Sequence, residues 1–426
     1  MASFMISGGK PLSGELSVSG SKNAVLPIIC ATLLTKEPCV LKNVPDIADV
    51  KNLLEILRGM GAIINDSLPG EITIDNSKVN TSAPNPELVK KLRGSILLLG
   101  PLLARFGEAT MPYPGGDLIG KRPIDTHIAA LETLGGSVLS IEGDTDIEML
   151  RMQMNAVANA TVVMRELSVT ATENIIMAAI SATGTTHIHL AATEPHIQDL
   201  CVFLNKLGAK ISGIGTHDLI IEHTSKLNGA EHSIVSDNDV ACSFLNLAAA
   251  TRSELTIKNI RPEYLRAPLN KLAEMAVQFK VGKDCITILK PIKPYIAPRT
   301  KLEGMIYPGL GSDQLPPFAV LATQAEGTTL IHEHMYEGRL GYIHELSKMG
   351  AKARIIDQHR AEITGPTKLR GMNVNSLDVR SGMVMVIAAL VAEGKSVLHD
   401  IEHIDRGYEH LDISLQKIGA EIHREQ

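Results

Sequence analysis

Residues 382–394 read GMVMVIAALVAEG. A run this apolar has no polar side to turn to water, so as a helix it must be buried all round. Five more runs of the same kind occur: AVLPIICATLL at 24–34, SILLLGPLLARFG at 95–107, ENIIMAAISATG at 173–184, ACSFLNLAAAT at 241–251 and PPFAVLATQAEG at 316–327. Their spacing of roughly 70 residues is longer than that of solenoid repeats and suggests a closed, pseudo-symmetric arrangement. A β-rich stretch follows each run, as in TTHIHLAA, SELTIKNI, TTLIHEHM and KSVLHDIEHI. Then comes a second helix with one apolar face, as in IADVKNLLEILRGMGA and IQDLCVFLNKLGAKI. These second helices close on Gly61, Gly135, Gly208, Gly350 and Gly419, with a worn copy lacking the glycine near Ala276. Glycine there is the expected C-terminal cap. Six units divide naturally into three plus three. We expect an α/β chain of two domains, residues 22–232 (repeats 1–3) and residues 1–21 plus 233–426 (repeats 4–6), with the strand SGELSVSG joining the latter. Helices buried inside sheets and outer helices would reverse the usual α/β layering.

The bulk numbers agree with such a chain. Its 426 residues are too many for one ordinary core. Apolar residues make up 44% and charged residues 21%, the balance of a soluble globular protein. No apolar run reaches the roughly 18 residues of a membrane span, and MASFMISGGKPLSG has no charged-then-apolar signal pattern. The expected compartment is the cytoplasm, with no membrane partner. A net charge of −6, 3% aromatics and no Trp argue against a nucleic-acid partner. A small anionic substrate remains compatible, because an acidic protein can carry a local basic pocket.

Cys30, Cys39, Cys201, Cys242 and Cys285 are scattered in mostly apolar runs, which fits reduced, buried thiols. His187/His189 and His332/His334 each share one face of a strand-like run. No carboxylate or cysteine follows either pair at ligand spacing, so neither reads as a metal site.

Charges recur in two slots of the repeat. At the start of the buried helix stand Lys22, Arg93, Asp313 and Arg380; before the outer helix stand Arg122, Arg339 and Arg406. Cations at helix N-termini oppose the macrodipole by about 0.3–1 kcal/mol. A repeat that keeps placing them there has an anion to hold, since backbone N–H groups and cations then point at one ligand. The residues alone therefore point to an anion-binding enzyme with an interdomain cleft.

Five stretches carry a family likeness: SGSKNAVLPI from Ser19, LRGSILLLGPLLAR from Leu92, PGGDLIGKRPIDTH from Pro114, SVTATENIIMAA from Ser168 and HIDRGYEHL from His403. Together and in this order they resemble the enolpyruvyl transferases over essentially the whole chain. They resemble the branch whose acceptor is UDP-N-acetylglucosamine more than the branch that makes 5-enolpyruvylshikimate 3-phosphate. The latter normally has Asp-Lys-Ser where Ser21-Lys22-Asn23 stands here.

The resemblance implies two inside-out α/β barrel domains, each of three pseudo-symmetric units, and the substrates phosphoenolpyruvate and UDP-N-acetylglucosamine. It implies that Lys22, Arg122 and Arg406 grip phosphoenolpyruvate with Arg93 and Arg380 in support. Asn23 and Arg93 would contact the sugar nucleotide. Arg122, Pro123, Ile124 and Asp125 would hold the uridine, Ser168, Val169 and Thr170 the diphosphate, and Met335 would pack beside the base. Asp313 would be the general base, with Lys22 and Arg406 counted with the catalytic set. No metal or organic cofactor is implied, and the oligomeric state is not read.

Asp117 is the main departure, since most members have cysteine after the two glycines. In this motif we expect it to act as the acid. A free Asp has a pKa of about 3.9, so it would need the anionic charge of bound phosphoenolpyruvate to carry a proton near neutrality. Other departures are Glu166 in place of a basic residue, Thr170 in place of Gly, His196 in place of Glu, Ser236-Asp237-Asn238-Asp239 near the hinge, and Met335 in place of a branched aliphatic. They keep two alternatives open: another UDP-amino sugar as acceptor, or a non-catalytic paralogue that only binds a nucleotide sugar.

Overall fold

The Val379–Val391 helix shows how each repeat begins. Asp378 caps it, its Oδ1 accepting from the backbone N–H of Arg380 at 2.8 Å and of Ser381 at 3.2 Å. Val379 through Leu390 are then buried without interruption, so the helix is apolar on every side, as its sequence requires. The computed structural model describes residues 2–115, 123–142, 149–155 and 157–425.

Five more helices of this kind are present. Lys22–Ala31, Leu99–Phe106, Val169–Ala179, Asn238–Ala250 and Pro317–Thr323 bury most or all of their residues. The Leu99–Phe106 helix is preceded by a tighter 3-10 stretch over Arg93–Leu98. At Gly100 this helix runs against the Val169–Ala179 helix so closely that a Cβ would lie 2.3 Å from the Asn174 carbonyl oxygen. Asn174 Oδ1 accepts from the Gly100 N–H at 2.6 Å across the same contact.

The chain divides into two compact units. Among the described residues, 2–19 and 236–425 form one, and 20–115 and 123–235 form the other. Each unit holds three of the buried helices and three small sheets. Five sheets have four strands in one pattern: a parallel edge strand, then two antiparallel pairings. In one of them Leu302–Glu303 pairs in parallel with Gly327–His332, which is antiparallel to Arg360–Gly365, which is antiparallel to Lys352–Ile355.

The sheets also link distant parts of each unit. Glu231–Ser233, late in its unit, pairs in parallel with Cys39–Lys42. Ser13–Ser17 pairs in parallel with Glu254–Lys258. Ser3–Ser7 lies between Lys395–His399 and Glu421–Glu425, antiparallel to both. It fills the place that Arg360–Gly365 holds in the preceding sheet.

The outer helices end as their sequences suggest. Gly61, Gly135, Gly208, Gly350 and Gly419 all have φ between 89° and 107°. At Gly208 the N–H donates to Asn205 O and the next N–H, of Ala209, to Leu204 O, which closes the helix on paired hydrogen bonds. Ala276, the worn copy, keeps both bonds and the left-handed turn at φ 64°. Four cysteines are buried and Cys285 is half-buried, all free. Among the described residues, no helix is long and apolar enough to cross a membrane.

Candidate active site

In the unit of residues 2–19 and 236–425 the starts of the three buried helices meet. Arg380 opens one, Asp239 opens another, and Asp313 lies just ahead of the third. Arg380 Nε donates to Asp313 Oδ2 at 3.0 Å, and its Nη2 to Asp239 Oδ2 at 3.2 Å. Its Nη1 donates to the Tyr408 hydroxyl at 3.2 Å, which also bonds Ser243 Oγ at 2.9 Å.

A second guanidinium holds Asp313 from the other side. Arg339 Nη2 donates to Asp313 Oδ1, and Nη1 donates to Ser312 Oγ at 2.6 Å. Ser312 Oγ in turn donates to Glu333 Oε2, whose other oxygen accepts from the Met335 N–H at 2.9 Å. Both carboxylate oxygens of Asp313 are thus oriented. The arginine side chains are 3% and 4% exposed while Asp313 is 30% exposed, so the carboxylate remains partly accessible.

The electrostatics follow from burial. Burial works against the charge on Arg339, but Asp313, Asp378 and Glu333 outweigh it and its pKa rises. For Arg380, Asp313, Tyr408 and Asp239 do the same. Burial pushes Asp239 up against the pull of Arg380, with Asp237 and Asp313 adding to the rise. Arg339 had the pattern of an anion-facing cation; its guanidinium is instead engaged by Asp313 and Ser312, as a buried cation must be paired. Arg406 follows the short Glu402–Asp405 helix, half-buried and two residues before Tyr408. Met335 is 42% exposed.

In the other unit the helix starts carry different chemistry. Lys22 is the first residue of its helix, where Ser21 Oγ accepts from the Ala24 N–H at 3.3 Å. Its Nζ lies 3.9 Å from Asp49 Oδ2, and Asn23 shares the same turn. Arg93 opens the 3-10 stretch and donates from Nη1 to the Pro114 carbonyl at 3.3 Å. Ser168 is the N-cap of the third helix, and Val169 and Thr170 form its first turn. Pro123 is exposed, Ile124 is buried, and Asp125 opens the Asp125–Thr133 helix. Asp117 and Arg122 lie outside the described residues.

Thr170 is tied to a histidine that the sequence reading did not single out. His127 Nε2 lies 3.0 Å from Thr170 Oγ1, and Nδ1 lies 3.0 Å from Asn174 Nδ2. Asn174 uses its oxygen to accept from Gly100 N and its amide nitrogen to donate to Ile96 O, which fixes its orientation. His127 Nδ1 must therefore accept, and Nε2–H donates to Thr170. A second ring proton would face a donor. Burial, and then the charge of Arg93, push the His127 pKa down to about 3. Nearby, Glu166 Oε1 accepts from Thr126 Oγ1 at 2.8 Å, so the carboxylate in the place of a basic residue is held by the protein itself.

Asp239, Ser312, Glu333, Tyr408, His127 and Asn174 are the additions the structure makes. Asp239 had a legible signal, since it fills in copy four the slot of Arg380 in copy six. Tyr408 lies inside HIDRGYEHL. The others meet only through tertiary packing.

With this geometry in view, comparison with known proteins gives the class first. The sequence profile of the family EPSP synthase (3-phosphoshikimate 1-carboxyvinyltransferase) matches residues 6–415. Among solved structures, the enolpyruvyl transferase NikO from Streptomyces tendae has a TM-score of 0.88 at 24% identity, covering 99% of this chain and 98% of its own. EPSP synthase from Acinetobacter baumannii has a TM-score of 0.78 at 18% identity, covering 100% of both chains. At these identities the likeness is one of fold, mixed α/β.

The sequence relatives are more particular. UDP-N-acetylglucosamine 1-carboxyvinyltransferase of Treponema denticola is 42% identical, covering 99% of each chain. The protein of the same name from Bacteroides fragilis is 40% identical, covering 100% of each. The chain belongs to the EPSP synthase family of carboxyvinyltransferases, on the branch of these relatives.

Proposed function

We propose that this chain transfers the enolpyruvyl group of phosphoenolpyruvate to the 3-hydroxyl of UDP-N-acetylglucosamine and releases phosphate, the committing step toward peptidoglycan precursors in the cytoplasm. The observation that carries this reading is identity of 40% and 42% along the whole length with relatives that bear one enzyme name.

The chemistry is addition followed by elimination. A proton goes to the methylene carbon of phosphoenolpyruvate, and the sugar oxygen bonds to the neighbouring carbon as it loses its own proton. The tetrahedral adduct then loses phosphate, and a methyl proton leaves to restore the double bond. On this reading Asp313 takes the hydroxyl proton, held in place by Arg339 and Arg380. Asp117 delivers the proton to carbon. Lys22, Arg122 and Arg406 grip the phosphate and carboxylate, with Arg93 and Arg380 in support, and favour phosphate departure.

Asn23, Pro123, Ile124, Asp125, Ser168, Val169, Thr170 and Met335 form the sugar-nucleotide contacts. Thr170 accepts from His127, which leaves its own O–H to donate to a diphosphate oxygen. The three repeats of each unit make an inside-out α/β barrel on this reading, a description that the buried helices support.

The test is phosphate release by the purified chain. It is expected only when phosphoenolpyruvate and UDP-N-acetylglucosamine are both present, and not with shikimate 3-phosphate as acceptor. Asp313→Asn is expected to lower kcat by about 10²–10⁴-fold, and to lower the melting temperature as well because buried Arg339 and Arg380 lose a charged partner, with circular dichroism checking that the variant is folded. Faster release with another UDP-amino sugar would overturn the acceptor. Binding of both substrates without release would make the chain a nucleotide-sugar-binding protein only.

A further inference from the structure

His332 and His334 lack a ligand partner in sequence, but the fold supplies one. The Leu302–Glu303 strand lies in parallel beside Gly327–His332 and places Glu303 directly against His332. Glu303 Oε1 lies 3.2 Å from His332 Nδ1 and 3.6 Å from His334 Nδ1. One ligand atom from each of the three residues lies within 4.8 Å of the other two. A tetrahedral ion with bonds of about 2.0–2.1 Å needs ligand atoms about 3.4 Å apart. Two of the three separations already sit close to that.

A cation already occupies the focus. Lys301 Nζ lies 2.7 Å from Glu303 Oε1 and 3.1 Å from His332 Nδ1. An ammonium can only donate, so His332 Nδ1 presents its lone pair to it. That is the form in which imidazole binds a metal. Lys301 and His334 are 40% and 44% exposed, so the lysine can swing away and an ion can arrive. Arg360, opposite His332 on the other neighbouring strand, bonds Asp357 at 2.7 Å.

The backbone under the histidines is fixed. Gly304 N donates to His332 O at 2.9 Å, and Glu333 N donates to His359 O at 2.8 Å. His359 Nδ1 is bonded to Glu333 O at 2.8 Å. We propose that Glu303, His332 and His334 form a surface site for a divalent transition-metal ion of the zinc class, with Lys301 standing in for the ion when it is absent. Imidazole and carboxylate donors suit such an ion. Its occupancy would tie together two strands beside Glu333, which turns to the opposite face to receive Ser312.

The test is titration of the full chain with Zn²⁺ by calorimetry, and with Co²⁺ by visible absorption. The parent is expected to bind one equivalent more than a His332→Ala/His334→Ala variant, or to bind it about tenfold or more tighter. Lys301→Met is expected to strengthen binding severalfold, because the resident cation no longer competes. Identical titrations of parent and double variant would overturn the site, and so would a Lys301→Met chain that binds no more tightly. Both changes are at exposed or half-exposed side chains, and thermal melting checks that the variants are folded.

Discussion

A carboxylate at position 117 changes which reagents can react there. Fosfomycin acts on relatives by alkylating a cysteine thiolate, and a carboxylate is a far weaker nucleophile toward its epoxide. We predict turnover undiminished by fosfomycin, an Asp117→Cys variant that keeps activity and becomes inhibitable, and an Asp117→Asn variant that loses most turnover. Phosphate release with and without the drug reads all three. His127 makes a prediction about pH. Its folded pKa of about 3 lies below the ordinary value of 6.5. The unfolded chain therefore binds the proton first, and stability falls as pH drops from about 6.5 toward 3. At pH 5 the loss is about 2 kcal/mol relative to pH 8, and His127→Asn should flatten that part of the curve in denaturant titrations. The two features were not equally visible in the sequence. Asp117 stood out against a motif, whereas His127 matters through Asn174 and Gly100, which meet it only by helix packing.

At the scale of the element, the repeats were legible because each carries its own local rule. Buried helices were apolar on all sides, and outer helices closed on glycine. Ala276 tests the second rule. It holds a left-handed turn that costs an L-residue about 1–2 kcal/mol, offset in part by the greater unfolded freedom of glycine. Ala276→Gly is expected to stabilise the chain by about 0.5–1 kcal/mol in chemical unfolding. A destabilised variant would mean that the turn is held at no cost. The sheets were less legible. Strands such as Thr185–His189 and Glu254–Lys258 could be read locally, but their parallel partners come from distant sequence, Ala160–Val163 and Ser13–Ser17. Local periodicity does not encode such pairings. Glu303 escaped the metal reading for the same reason, since it reaches His332 across a sheet and not along a strand.

At the scale of the whole molecule, a chain of net charge −6 is proposed to hold anionic substrates. The cations must act at short range, so salt should weaken phosphoenolpyruvate binding, as calorimetry at rising ionic strength would show. UDP-N-acetylglucosamine at about 100 times its Kd should stabilise the chain by about 2.7 kcal/mol in thermal unfolding. No thermal shift would remove the nucleotide sugar as ligand. The placement of Ser3–Ser7 between Lys395–His399 and Glu421–Glu425 bears on how the chain is made. On the ribosome this strand emerges long before both of its neighbours, which lie far later in the chain. At about 5–20 residues per second it waits roughly 20–80 s with unsatisfied amides on both sides. The unit whose described residues lie within 20–235 emerges in that interval and can fold before this sheet closes.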